Sequence, residues 1–104
     1  MKSMVGKRSP WGTIDHEEPI CDGIVFVGTP SHGGIKLAAW RNTYVPAHLR
    51  EAGGWYEEDC AWSIPYTIFA DDILASPIAH PNCAKAIREG LHTLTFNRWY
   101  SKAA

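Results

Sequence analysis

The run 29–34, which reads Thr-Pro-Ser-His-Gly-Gly, combines a proton-transfer group with accessible backbone. Its candidate functional residues are Ser31, His32, Gly33 and Gly34. The imidazole can donate or accept a proton, and a glycine-rich backbone can bind an anionic group. Ser31 and His32 do not form a catalytic pair by adjacency, because neighbours on an extended chain point to opposite sides. The alternative is a hairpin loop in which both glycines adopt positive φ and Ser31 caps a turn.

The run 54–62, Gly-Trp-Tyr-Glu-Glu-Asp-Cys-Ala-Trp, supplies the second set of candidates. These are Trp55, Glu57, Glu58 and Asp59. Three consecutive acids spread around a helix, so they cannot all face solvent while the tryptophans pack. One interpretation is a solvated first turn of a helix, where the dipole favours acids. The other is a hydrogen bond from one acid to His32, which would join the loop to this segment.

Neither a metal centre nor a cofactor is expected. His32 and the acids 57–59 offer nitrogen and oxygen ligands, but the histidine spacings typical of zinc sites are missing. A nucleophilic Cys60 would need His32 within hydrogen-bond reach, and a free cysteine is more often a small buried hydrophobe. Cys21, Cys60 and Cys83 form no close pair, which argues against a zinc knuckle and a disulfide framework. This cysteine usage favours a reducing, cytoplasmic location.

Local patterns predict the elements that would position these residues. Residues 24–27 and 35–38 read as two strands around a turn-rich loop, which predicts a hairpin around 24–38, and residues 12–15 add a third strand. Pro46 and the glycine pair after Ala52 predict a short helix over 46–52. Apolar spacing predicts a second helical region over 55–74, kinked or split at Pro65.

The C-terminal part is expected to contain a third helix bracketed by Pro81 and Gly90, followed by a weak strand over 93–100. Strands followed by helices indicate an α+β fold, a small antiparallel sheet with two or three short helices packed on one face. Residues 1–10 are predicted to be a flexible N-terminal arm, and residues 11–104 a single compact α+β domain.

Charge is segregated along the 104 residues, although the formal net charge is only −1. Residues 9–72 hold ten acids and three bases, whereas residues 1–8 and 73–104 are each basic. The near-zero total excludes a strongly basic, autonomous nucleic-acid binder. The acidic middle either complements the basic ends within the molecule or faces a basic partner.

Aromatic content favours a recognition role. The chain has five tryptophans, of which Trp62 is expected in the core; a domain of this size cannot bury all the others. Exposed aromatic side chains concentrate at binding surfaces. No apolar run is long enough to span a membrane, and the residues after the N-terminal bases lack a signal-peptide core, so no membrane association is expected.

The two motifs resemble a family of small uncharacterised domains found in bacteria, phages and mobile elements. The similarity rests on Trp11-Gly12, the strand 24–27, the run 29–34, and residues 55–59 with Trp62. It covers roughly residues 10–75. The resemblance implies no reaction, but it implies an accessory gene of a phage or plasmid.

These observations favour a non-enzymatic protein that binds a host protein or nucleoprotein complex with a basic surface, as a counter-defence (anti-CRISPR-like) inhibitor. The acidic, aromatic-rich surface would make the contact. The alternative is a small anionic-ligand-binding or hydrolytic site built from the Ser31–Gly34 loop and Glu57–Asp59. A third interpretation makes both motifs structural. Homodimer formation remains open.

Overall fold

A four-stranded antiparallel sheet organises the chain in a computed structural model, which describes residues 3–59 and 61–96, with backbone alone for 90–96. Two short strands, β1 (Arg8–Ser9) and β2 (Gly12–Thr13), pair with each other. The main sheet follows in the order β3 (His16–Cys21), β4 (Ile24–Gly28), β5 (Gly33–Leu37) and β6 (Trp55–Glu57). The predicted hairpin is confirmed as β4 and β5.

The helices cover one face of this sheet. They are α1 (Ala39–Asn42), α2 (Ser63–Ile68), α3 (Ala70–Leu74) and α4 (Cys83–Phe96), with one 3₁₀ turn at Ala52–Gly54. Alternate strand residues, among them Ile24, Ile35 and Tyr56, point into a core that includes Ile64 and Ile73. Burial of this apolar surface is the main stabilising contribution. The α+β fold class is therefore confirmed.

The N-terminal segment covers the second face. Met4 and Ile14 pack against Val25 and Val27, which point away from the helices. Burial on both faces explains why residues 24–27 are uniformly apolar. Although composition predicts a flexible arm for residues 1–10, the described part is anchored: the Met4 backbone N–H donates to Glu17 Oε2 at 3.0 Å.

Of the residues 12–15, which were expected to form a strand, only Gly12–Thr13 does so. Gly12–Thr13 pairs with Arg8–Ser9 rather than with the main sheet. The main sheet is extended instead by β3, a strand that the sequence patterns do not predict. Two consecutive acids, Glu17 and Glu18, and then Pro19 are not typical of a strand, but an edge strand tolerates them.

The prediction of a helix over residues 46–52 is wrong. Residues 46–50 form turns, with Leu49 N–H donating to the Pro46 carbonyl at 2.9 Å. Arg50 folds back and donates from Nη2 to the Val45 carbonyl at 2.8 Å. A seven-residue segment has little helical stability of its own, so this side-chain hydrogen bond and the turns prevail. The helix forms earlier instead, at Ala39–Asn42.

The prediction of a helical region over residues 55–74 is wrong for its first part. Trp55–Glu57 is strand β6, paired with β5 so that Tyr56 lies opposite Ile35. The remainder does split into two helices, but the break falls at Phe69 (φ −109°) rather than at Pro65. Pro65 is in the first turn of α2, where its missing N–H costs little.

The C-terminal helix is longer than expected, since α4 continues past Gly90 to Phe96. The strand predicted over 93–100 is therefore wrong for 93–96, and its remainder lies outside the described residues. Trp62 is half-buried rather than a core residue. In the described chain, no helix combines the length and apolar character needed to cross a membrane.

Candidate functional site

The loop between β4 and β5 is a tight turn closed by Thr29. The Thr29 N–H donates to the His32 carbonyl at 2.8 Å, and Thr29 Oγ1 accepts from the His32 N–H at 3.1 Å. The Ser31 hydroxyl instead donates to the Trp11 carbonyl at 3.4 Å. The capping role expected of Ser31 therefore belongs to Thr29, whose hydroxyl lies at the start of the turn.

Gly33 and Gly34 are required for close packing rather than for backbone conformation. Neither has a positive φ, so the expectation of left-handed turn residues is wrong. A Cβ atom on Gly34 would lie 2.3 Å from the Tyr56 carbonyl oxygen and 2.6 Å from the Trp11 ring. A Cβ on Gly33 would lie 2.8 Å from the Val27 carbonyl oxygen. These contacts leave no room for a larger residue.

The acidic run lies at the end of β6 and in the turn after it, not in a helix. The backbone N–H of Glu58 donates to the Gly33 carbonyl at 2.9 Å, which joins the two motifs. The N–H groups of Ala61 and Trp62 donate to the Glu57 carbonyl, each at 3.0 Å. The interpretation as a helical first turn is therefore wrong, because backbone pairing with β5 sets this segment.

His32 and Asp59 approach each other at the surface. His32 Nδ1 lies 3.9 Å from Asp59 Oδ2, and the side chains are 49% and 69% exposed. This separation is too long for a hydrogen bond, and exposed ion pairs contribute little stability. Among the described residues no hydrogen bond connects Ser31 with His32. The loop thus lacks the nucleophile–base contact that hydrolysis by Ser31 would need.

Four acidic residues lie at the end of the sheet that carries this loop. Asp15 donates its N–H to the Gly28 carbonyl at 3.0 Å, and Gly28 lies opposite Gly33. Asp15, Glu58 and Asp59 are exposed, and Glu57 is half-buried. We call Asp15, Glu57, Glu58 and Asp59 the acidic end. Across the described chain, no group of three or more potential ligands is arranged to hold a metal ion.

Two tryptophans lie on the second sheet face beside the acidic end. Trp11 and Trp55 are half-buried and meet edge to face, with ring centroids 5.8 Å apart. Lys36 Nζ lies 4.7 Å from the Trp55 ring centroid. Trp40 and Tyr44, 48% and 71% exposed, follow the opposite end of β5. The acidic end therefore adjoins two half-buried aromatic rings, whereas the more exposed aromatic side chains, Trp40 and Tyr44, lie beyond the other end of β5.

A buried arginine, which no sequence pattern predicts, lies outside the two motifs. Arg41 is 7% exposed; its guanidinium pairs with Asp72, and its Nε donates to the Asp22 carbonyl at 2.9 Å. The same group lies 5.0 Å from the Phe69 ring centroid. This contact joins the β3–β4 turn to α1 and α3. No local pattern around Arg41 indicates it, because its partners are distant in sequence.

A cavity of about 550 Å³ is likewise not predicted by any sequence pattern. It lies between the edge strand β3, its neighbour β4, helix α2 and the start of α4. Its lining combines apolar and polar side chains: Glu18, Pro19, Ile20, Phe26, Tyr66, Ile78, His80, Asn82, Cys83 and Ala86. Ser31, His32, Gly33, Gly34, Trp55, Glu57, Glu58 and Asp59 do not line it. Burial raises the pKa of Tyr66, so its hydroxyl stays neutral.

Comparison with known families assigns the chain to one family of domains. The model of a domain of unknown function (DUF7007) matches residues 4–103, nearly the full chain and more than the residues 10–75 on which the resemblance rests. No curated protein and no solved structure matches the chain significantly. The chain therefore belongs to the DUF7007 family of domains of unknown function.

Proposed function

We propose that this domain acts without catalysis, as a binding module whose acidic end contacts a basic surface of a macromolecule. The observation that carries the proposal is the backbone hydrogen bond from Glu58 to Gly33, which fixes the acidic turn against the hairpin loop. Preorganised charges cost less to order on binding than charges on a mobile segment. They also steer a basic partner toward the site.

The arrangement of charge supports a protein or nucleoprotein partner. Glu58 and Asp59 are exposed, and Asp15 lies at the same end of the sheet. Trp11 and Trp55 supply half-buried aromatic surface next to these carboxylates. Interfaces commonly combine such an apolar centre with a charged rim. A nucleic-acid phosphate backbone would instead be repelled by the acidic end.

We propose further that binding inhibits the partner, with the acidic end occupying a basic groove that otherwise holds nucleic acid. The resemblance to accessory domains of phages and mobile elements supports a counter-defence role in the host cytoplasm. An anionic-ligand or hydrolytic site has weaker support. The carboxylates of Glu58 and Asp59 would repel an anion, and the Ser31 hydroxyl contacts Trp11 rather than His32.

Site-specific photo-crosslinking tests the proposal. A photoreactive amino acid replaces exposed Ser31, beside the acidic end, or exposed Tyr44, beyond the opposite end of β5. Each variant is irradiated in bacterial lysate at low and at high salt. We expect a discrete adduct from position 31 at low salt that weakens at high salt. Equal adducts from both positions, or no adduct from position 31, would contradict the proposal.

A further inference from the structure

The cavity beside β3 has the size and walls of a small-ligand site. Its volume of about 550 Å³ falls within the usual range for ligand pockets. Phe26 and Tyr66 supply aromatic walls, and Ile78, which is 60% exposed, extends the apolar surface at the rim. Trp62, which is not a lining residue, meets Tyr66 edge to face, with ring centroids 6.0 Å apart.

One carboxylate gives this lining a negative charge. Glu18 is exposed on the edge strand β3, opposite Phe26 in the register with β4. Within the described chain its carboxylate makes no hydrogen bond or ion pair. The described lining holds no lysine or arginine that could pair with Glu18. An unpaired carboxylate next to apolar walls is complementary to a cation that also carries an apolar body.

The other polar groups of the lining can form hydrogen bonds. The Tyr66 hydroxyl lies beside the Cys83 thiol, and both burial and this neighbour raise the pKa of Tyr66. His80 Nδ1 accepts the Asn82 backbone N–H at 3.0 Å. The hydroxyl of Tyr66 and the amide of Asn82 can accept hydrogen bonds from an ammonium or guanidinium group.

We propose that this cavity binds an organic cation, an amine or a guanidine with an aromatic or aliphatic body. Its charged group pairs with Glu18, and its body packs between Phe26 and Tyr66, whose ring faces also attract a cation. A free amine and a lysine or arginine side chain of a protein share this chemistry. The inference is independent of the acidic end, because none of Asp15, Glu57, Glu58 and Asp59 lines the cavity.

Nuclear magnetic resonance titration of the full chain tests this inference with charge-matched probes. Phenethylamine, phenethyl alcohol and phenylacetate share one apolar body and differ in charge. We expect saturable shifts at the amides of Phe26, Ile78 and Cys83, with the amine binding about tenfold more tightly than the alcohol and more tightly still than the anion. Equal affinities for the three probes, or no saturable shift, would overturn the proposal.

Charge removal at Glu18 provides the second measurement. Glu18→Gln should abolish the preference for the amine over the alcohol, whereas Asp71→Asn, which removes an exposed acid outside the cavity, should keep it. A preference retained in Glu18→Gln would overturn the assignment of the cation to this carboxylate. Lysine and arginine blocked at both backbone termini form a parallel arm. If the blocked amino acids bind more tightly than phenethylamine, the natural ligand is a lysine or arginine side chain of a protein. If phenethylamine binds more tightly, the natural ligand is a free amine.

Discussion

The Glu58 backbone N–H and the Gly33 carbonyl form a 2.9 Å hydrogen bond between the acidic turn and the start of β5. The two motifs are thus joined through main-chain atoms. The Glu58 side chain is exposed and is not needed for this connection. Substitutions of the Glu58 and Asp59 side chains should therefore alter recognition while leaving the fold intact.

The His32–Asp59 contact is expected to contribute little to stability. Its atoms are 3.9 Å apart and largely exposed. A double-mutant cycle with His32→Ala and Asp59→Ala, read by urea unfolding, should give a coupling free energy below about 1 kcal/mol. A larger coupling would mean that this pair, rather than the backbone, holds the loop against the acidic turn.

Gly34→Ala should destabilise the domain by about 1–3 kcal/mol, because the new methyl group would clash with the Tyr56 carbonyl and the Trp11 ring. Gly28→Ala is the matched control. Its Cβ would lie 3.6 Å from the nearest atom, on His16, in ordinary contact. That variant should change the free energy of unfolding by about 0.5 kcal/mol or less. Equal urea midpoints for the two variants would refute the close-packing argument.

Asp72→Asn should lower the free energy of unfolding by about 1–3 kcal/mol, because it leaves the buried Arg41 guanidinium without its charged partner. The neighbouring acid Asp71 is exposed, and Asp71→Asn is the control, expected within about 0.5 kcal/mol of the parent. Thermal or urea unfolding measures both. If Asp72→Asn is as stable as Asp71→Asn, Arg41 does not depend on this ion pair.

Tyr56 should contribute to alkaline unfolding. Its buried hydroxyl donates to Asn42 Oδ1 at 2.6 Å and accepts the Glu51 N–H at 3.2 Å, and burial raises the pKa of Tyr56. The pKa of Tyr56 is thus higher in the folded state than its value of about 10 in the unfolded chain. The neutral hydroxyl stabilises the folded domain fully below about pH 10, and this contribution is lost as the pH rises through the folded pKa.

Tyr56→Phe should accordingly reduce the free energy of unfolding at neutral pH by about 1–3 kcal/mol, since the Asn42 and Glu51 groups lose their partner. Its alkaline decline should also be shallower than that of the parent. Urea titrations across the alkaline range measure both effects. An unchanged alkaline slope would show that the Tyr56 hydroxyl does not ionise during unfolding.

The sequence predicted the β4–β5 hairpin because its signals are local. Residues 24–27 are apolar and β-branched or aromatic, and the turn residues follow directly. Strand β6 could not be recognised in the same way, since Trp55–Glu57 fits helical spacing equally well. What decides its conformation is pairing with β5, where Ile35 lies opposite Tyr56 across a long connection.

For the candidate site, the sequence anticipated a contact between the loop and the acids, but assigned it to side chains. Backbone hydrogen bonding cannot be inferred from side-chain types, so the Glu58–Gly33 bond was not foreseen. The cavity could not be predicted from the sequence for a related reason. Glu18, Tyr66 and Cys83 come from separate elements and meet only after the helices pack on the sheet.

The measurement that tests the central claim most directly is the affinity of the partner captured through position 31 for two charge-reversal variants. Glu58→Lys and Asp71→Lys change the net charge equally, and both acids are exposed, but only Glu58 belongs to the acidic end. We predict that Glu58→Lys raises the dissociation constant by at least about tenfold with unchanged stability, and that Asp71→Lys leaves it near the parent value. Equal affinities for the two variants would contradict recognition through the acidic end.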